Sequence, residues 1–316
     1  MPIHRASGAL LAAALLLAAC DDGPGDATDE AAESAEEVDE PGDDEAGQDP
    51  AEAVREVDPA QVTLLEAGAE PRAPLRLDLA EGSEVTATLG FEEEVLEEGT
   101  SGEPGPPQSG SIELRLTVTD VEDGHATIAF AYEEVSVDGQ PLEGPNPMTG
   151  VEGEIVLDDR SRLVGTTDSA SGLDQLPIAL PEEEVGVGAV WEVRTEEVFR
   201  LPATEILTVE LLAVDGDEYE LALDATTEGP GEPTPLPGAG EQPGGRLMLD
   251  ELERDSTGEQ RASRSLPFPV RSSLTTRTLL VVSLDDDTVG PQPGPAPDAD
   301  EHQRQELREQ VVFERH

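Results

Sequence analysis

The chain has 316 residues, with 72 acidic against 18 basic side chains and a formal net charge of −54 at pH 7; all 18 basic residues are Arg. Such a charge excludes bulk attraction to nucleic acid or to anionic lipid headgroups, both of which demand positive surface. A single cysteine excludes an internal disulfide, and 3% aromatic content leaves a lean core of Leu, Val and Ala.

Taken in chain order, His4 and Arg5 precede an unbroken run of Ala and Leu from Ala9 to Ala19. The run has the length of a signal-peptide apolar region and falls short of the roughly 20 residues a membrane-spanning helix needs. It ends in Leu17-Ala18-Ala19-Cys20. This resembles the bacterial lipoprotein signal. The resemblance implies cleavage between Ala19 and Cys20, a diacylglyceryl group on the Cys20 thiol and an acyl chain, such as palmitate, on the new N-terminus. Two or three chains anchor a protein firmly where one does not. The expected location is the cell envelope of a bacterium, held to a membrane through the N-terminal lipid and facing the periplasm or the exterior.

Residues 21–58 carry seventeen carboxylates against Arg55 alone and have little to bury. A disordered acidic tether is expected, spanning about 35 Å as a flexible chain. The signal peptide thus occupies 1–19 and the lipidated Cys20 with its tether 20–58. A β-rich domain is expected over 59–289, then a Pro/Gly linker and acidic tail over 290–316. The domain keeps an acidic excess of its own, so added salt should stabilise it by screening.

From about residue 60 apolar residues alternate with polar ones, the period of half-buried strands. Val85, Ala87, Leu89 and Phe91 line one face, and Ile112, Leu114, Leu116 and Val118 another. Asp123-Gly124 turns the chain into Ala126, Ile128, Phe130 and Tyr132, and Asp138-Gly139 is a second tight-turn signal. Val151, Gly153, Ile155 and Leu157 form a further strand, turning near Asp159.

In the second half a strand is expected from Val187 to Phe199 around Trp191, and Ile206–Val214 leads through Asp215-Gly216 into Tyr219, Leu221 and Leu223. Another strand begins at Leu247 and is expected to turn at Thr257-Gly258. Leu274–Leu284 closes the series. Pro/Gly-rich stretches at 102–107, 229–245 and 290–297 read as loops or linkers. The tail from Asp298 is expected to form a short helix with Leu307 and Val311 on one face.

Leu116-Thr117-Val118 with Asp123-Gly124 is echoed by Leu207-Thr208-Val209 with Asp215-Gly216, each preceded by a Gly-led strand at Gly82 and Gly188. The echo reads either as a duplicated β-meander or as chance likeness between hairpins. The fold class is all-β and antiparallel, about ten strands, in a sandwich or an open barrel.

No catalytic constellation emerges. His4, His125, His302 and His316 are not spaced for a metal site, and no cofactor motif is present. Val185-Gly186-Val187-Gly188 superficially suggests a phosphate loop but continues as a strand, so it reads as strand entry. Asp215 and Asp217 offer oxygen ligands for calcium, though Asp-Gly is also ordinary hairpin chemistry. Trp191, the sole tryptophan, reads as a core anchor or as a ligand-stacking platform. Leu266-Pro267-Phe268-Pro269 reads as a rigid connection holding an anchored Phe.

Leu176-Pro177, Leu180-Pro181, the Val185–Val193 segment Val-Gly-Val-Gly-Ala-Val-Trp-Glu-Val and Leu266-Pro267 together resemble an uncharacterised family of bacterial lipoproteins, a domain of unknown function. Glu184 stands where that family would have Pro. The likeness spans roughly 60–285 and brings no catalytic residues. The functional expectation is a lipid-anchored envelope protein, not an enzyme, that binds an apolar ligand or an envelope protein partner. The alternatives are a carboxylate-based hydrolase and a calcium-stabilised surface or assembly module.

Overall fold

A computed structural model describes residues 53–98, 106–142, 150–167, 173–196, 201–236, 245–285 and 303–316, with Ser169, Val198 and residues 241–242 besides. Cys20, the signal run and the expected tether as far as residue 52 lie outside the described residues, as do most of the stretches at 102–107 and 290–297. The last part of that tether is not disordered, since Arg55–Glu56 form a strand paired with Gly165 and Thr166.

The described chain is all-β and antiparallel, as the alternation implies. Its strands in order are β1 (Arg55–Glu56), β2 (Gln61–Ala67), β3 (Glu84–Glu98), β4 (Gln108–Glu122), β5 (His125–Val137), β6 (Gln140–Pro141), β7 (Glu152–Asp158) and β8 (Leu163–Thr166). They continue with β9 (Ala189–Thr195), β10 (Thr204–Asp215), β11 (Glu218–Glu228), β12 (Thr234–Pro235), β13 (Glu241–Gln242), β14 (Gly245–Ser263), β15 (Arg271–Asp285) and β16 (Gln303–Arg315). All belong to one sheet, ordered β1-β8-β7-β5-β4-β3-β16-β15-β14-β11-β10-β9-β2, with β6 beside β5 and β12 and β13 beside β14.

The sheet does not close, yet it must curl. Thirteen strands in a row would span about 55–60 Å if flat, at about 4.8 Å per strand. Its two edges, β1 and β2, are joined by residues 57–60 alone, which reach at most about 18 Å. One face is therefore turned inward, and it is the apolar one: Val85, Ala87, Ile112, Leu114, Leu116 and Val118 are buried, as their alternation implies.

Two hairpin turns follow their sequence signals. Asp123 and Gly124 both have positive φ (52° and 79°), as do Asp138 and Gly139 (50° and 71°), the pattern of a type I′ turn. At the β10–β11 hairpin the turn residues are instead Gly216 and Asp217, and of these only Gly216 has positive φ. The halves β3–β8 and β9–β16 share their course: Gly82 (φ 78°) and Gly188 (φ 80°) each enter the first strand, and an up-and-down meander follows.

Two connections fill the interior. Residues 68–83 run from β2 to β3 as a strap, with Ala73 paired to Val185, Leu77 N–H donating to Asp159 O and Asp78 N–H to Arg264 O. Residues 173–188 pass from a first apolar cluster, which holds Leu173, to a second, which holds Ile178, Leu180 and Trp191. A third cluster, with Leu249, Leu252, Leu280 and Val282, occupies the far end of β14 and β15.

Three expectations are corrected. The tail is no helix: residues 303–315 are strand β16, set in the sheet between β3 and β15. Thr257-Gly258 is no turn but lies inside the 19-residue β14, where a Cβ on Gly258 would come within 2.1 Å of Ser273 O, so the two backbones approach too closely for a side chain. The strand at Trp191 ends at Thr195, short of Phe199. The described strands therefore outnumber the ten expected, and several are two-residue pairings that leave no periodic signal.

Candidate functional site

Register places inward side chains opposite one another in rungs. One rung runs Phe91, Val311, Leu274, Gly258, Leu223, Val209, Trp191 and is apolar throughout. The next runs Glu93, Glu309, Thr276, Ser256, Ala225, Leu207. A third holds Leu307, Thr278, Arg254, Thr227 and Glu205. A polar band thus crosses the interior between the first two apolar clusters and the third.

The alternation that buries Val85 and Ala87 and turns Leu89 inward carries Glu93 to the same face, where it is 8% exposed. Glu309 reaches the inner face from β16 by the same rule, between buried Leu307 and Phe313. Directly opposed residues on antiparallel strands have Cβ atoms about 4.5–5.5 Å apart, so the carboxyl groups share one patch. Burial is the main cause that pushes the Glu93 carboxyl up, to about 7, and the charge of Glu309 adds to it. Burial also raises Glu309, while Arg254 pulls it back. Glu93 Oε1 has no hydrogen-bond partner. Beside the pair, the hydroxyls of Ser256 and Thr276 bond to each other at 2.9 Å, and Thr227 donates to Glu205 at 3.0 Å.

Around this band the apolar side chains of Phe91, Val311, Leu274, Leu207 and Val62 are half-buried, the last three packed against the margin of the second cluster. The inner face also carries small residues here, Gly258, Ser256 and Ala225.

The residues singled out in the sequence lie elsewhere. Trp191 is 0% exposed and its indole N–H donates to Ala179 O at 3.0 Å, the environment of a core anchor. Asp215 and Asp217 are exposed at the β10–β11 turn; Asp217 O accepts from Arg264 N, and neighbouring Glu218 pairs with Arg261. Among the described residues no group of three or more His, Cys, Asp or Glu is placed to hold a metal ion. The Val185–Gly188 segment feeds β9, with Gly186 pressed against Ala69 O of the strap. Phe268 is anchored as expected, stacked on Phe313 with centroids 6.3 Å apart.

Sequence reasoning missed Glu93 and Glu309. The available signal was phase: Val85 to Phe91 fixes Glu93 inward, and Leu307, Val311 and Phe313 fix Glu309.

No family model matches the chain, and no curated protein does either.

Proposed function

We propose that this protein is a lipid-anchored module of the bacterial cell envelope, tethered through Cys20, whose curled sheet holds an apolar ligand on its inner face rather than catalysing a reaction. The observation that supports it is the middle of that face. There Phe91, Val311, Leu274 and Leu207 stay half-buried around Gly258, Ser256 and Ala225, with Leu274 and Leu207 at the margin of the second cluster. An apolar guest covering these side chains would gain about 25 cal/mol for each Å² removed from water. The test is uptake of the environment-sensitive probe N-phenyl-1-naphthylamine by the Cys20→Ala protein. Saturable one-to-one fluorescence that Leu274→Trp abolishes is the expected result; no saturable uptake by the unfilled protein sinks the reading.

A second reading, acid–base hydrolysis, draws on Glu93 and Glu309, since a carboxyl held near 7 beside a second carboxylate is what a general acid requires. It is the weaker, because Glu93 is nine-tenths buried. Hydrolysis of an ester or glycoside that Glu93→Gln abolishes, with binding intact, would favour it.

A further inference from the structure

We propose that Glu93 and Glu309 form a one-proton site at the β3–β16 seam, so that the pairing of the C-terminal strand with the rest of the sheet is strengthened by a proton and weakened when it leaves. The seam is where the geometry concentrates the consequence. Strand β16 joins the β3–β8 half to the β9–β15 half, and along the sheet path the two are linked through it alone. The two carboxyl groups are cross-strand partners on that seam, both turned inward.

A count of charge gives the occupant. With both carboxyls ionised, the patch holds two negative charges, and Arg254 from β14 acts on Glu309. β4 offers Gln108, which is uncharged, opposite Glu93. β15 and β14 offer the Thr276 and Ser256 hydroxyls, already bonded to each other. Glu205 on β10 is held by Thr227 of β11, two strands beyond β15. On β3 itself Glu92 and Glu94 alternate onto the outer face. One negative charge is therefore left uncompensated, and it falls on Glu93, whose Oε1 lacks a partner. A single positive charge completes the patch, whereas a divalent ion would overshoot it. A proton needs no further room: bound on Glu93, it removes the uncompensated charge from the patch.

The experiment is hydrogen exchange of the backbone amides of residues 307–313 between pH 6 and pH 8.5, corrected for intrinsic exchange, with residues 209–223 in β10 and β11 as internal control. A carboxyl that titrates near 7 when paired and near its ordinary value when the strands part makes opening about tenfold more favourable over that range. The wild type should lose about tenfold protection in β16 relative to the control strands. Glu93→Gln should hold its protection constant across the range. Glu309→Gln, as a second variant should the first misfold, should lower the pH at which Glu93 titrates, read from its side-chain carboxyl carbon. A flat profile in the wild type overturns the proposal, as does an undiminished tenfold loss in Glu93→Gln or an unmoved Glu93 titration in Glu309→Gln.

Discussion

Glu93 and Glu309 stand directly opposite each other on adjacent antiparallel strands, both on the buried face of the sheet. Like charges so placed repel across the pairing, and burial withholds the water that would screen them. The arrangement makes the interior of this strongly acidic protein sensitive to its own protonation.

The first expectation concerns stability and pH. Glu93 binds its proton near 7 in the fold, against an ordinary 4.5, so between those values the folded state holds more protons than the unfolded chain. Its contribution is fully present below about 4.5, declines as pH rises through 7 and is gone above. Between pH 5.5 and 8.5 the wild type should lose about 2 kcal/mol more than Glu93→Gln. Urea midpoints of the two proteins at both pH values check this.

Trp191 fills the largest fully buried position, and its indole donor is used. Trp191→Ala should cost about 3–5 kcal/mol. Trp191→Phe should cost about 1–2 kcal/mol, because the Ala179 carbonyl is left without its donor. The fluorescence of this sole tryptophan should resist iodide quenching until the protein unfolds.

Asp158 organises the β7–β8 turn. Its carboxylate accepts from the backbone N–H groups of Arg160 and Arg162, each at 2.9 Å, and pairs with the Arg162 guanidinium at 2.6 Å. It is nearly fully buried. Asp158→Ala removes all three partners at once and should cost about 3 kcal/mol. Asp158→Asn, which keeps an acceptor oxygen, should recover part of that. Thermal melts of both variants discriminate.

Two glycines separate collision from conformation. A Cβ at Gly186 would lie 1.8 Å from Ala69 O, so Gly186→Ala must displace the strap. Gly82 has φ 78° but open space around a Cβ, so Gly82→Ala should cost only about 1 kcal/mol of backbone strain. Circular-dichroism melts should show the first variant severely destabilised and the second mildly so.

The strands were legible where one face is wholly apolar. Ile112, Leu114, Leu116 and Val118 announce β4, and Asp123-Gly124 announces the turn after it. β16 was not legible, and Glu309 is the reason. An acid at an inward position interrupts the alternation of Leu307, Val311 and Phe313, leaving a Leu307–Val311 spacing that imitates a helix. Glu93 is likewise hidden, inside the acidic run Glu92-Glu93-Glu94, where composition says solvent and only the phase set by Val85, Ala87 and Leu89 says interior. The residues of greatest functional interest were thus illegible because they break the pattern by which the fold is read. Gly258 misled differently: it resembles a turn signal, but close approach of the β14 and β15 backbones is what requires it.

The proposed attachment of the inward-curled β-module to a membrane through Cys20 is decided by cell fractionation of wild type and Cys20→Ala. The wild type should sediment with membranes and be released only by detergent, while Cys20→Ala should be recovered soluble with an unchanged circular-dichroism spectrum and melting temperature. A Cys20→Ala protein that folds and remains membrane-bound would contradict it.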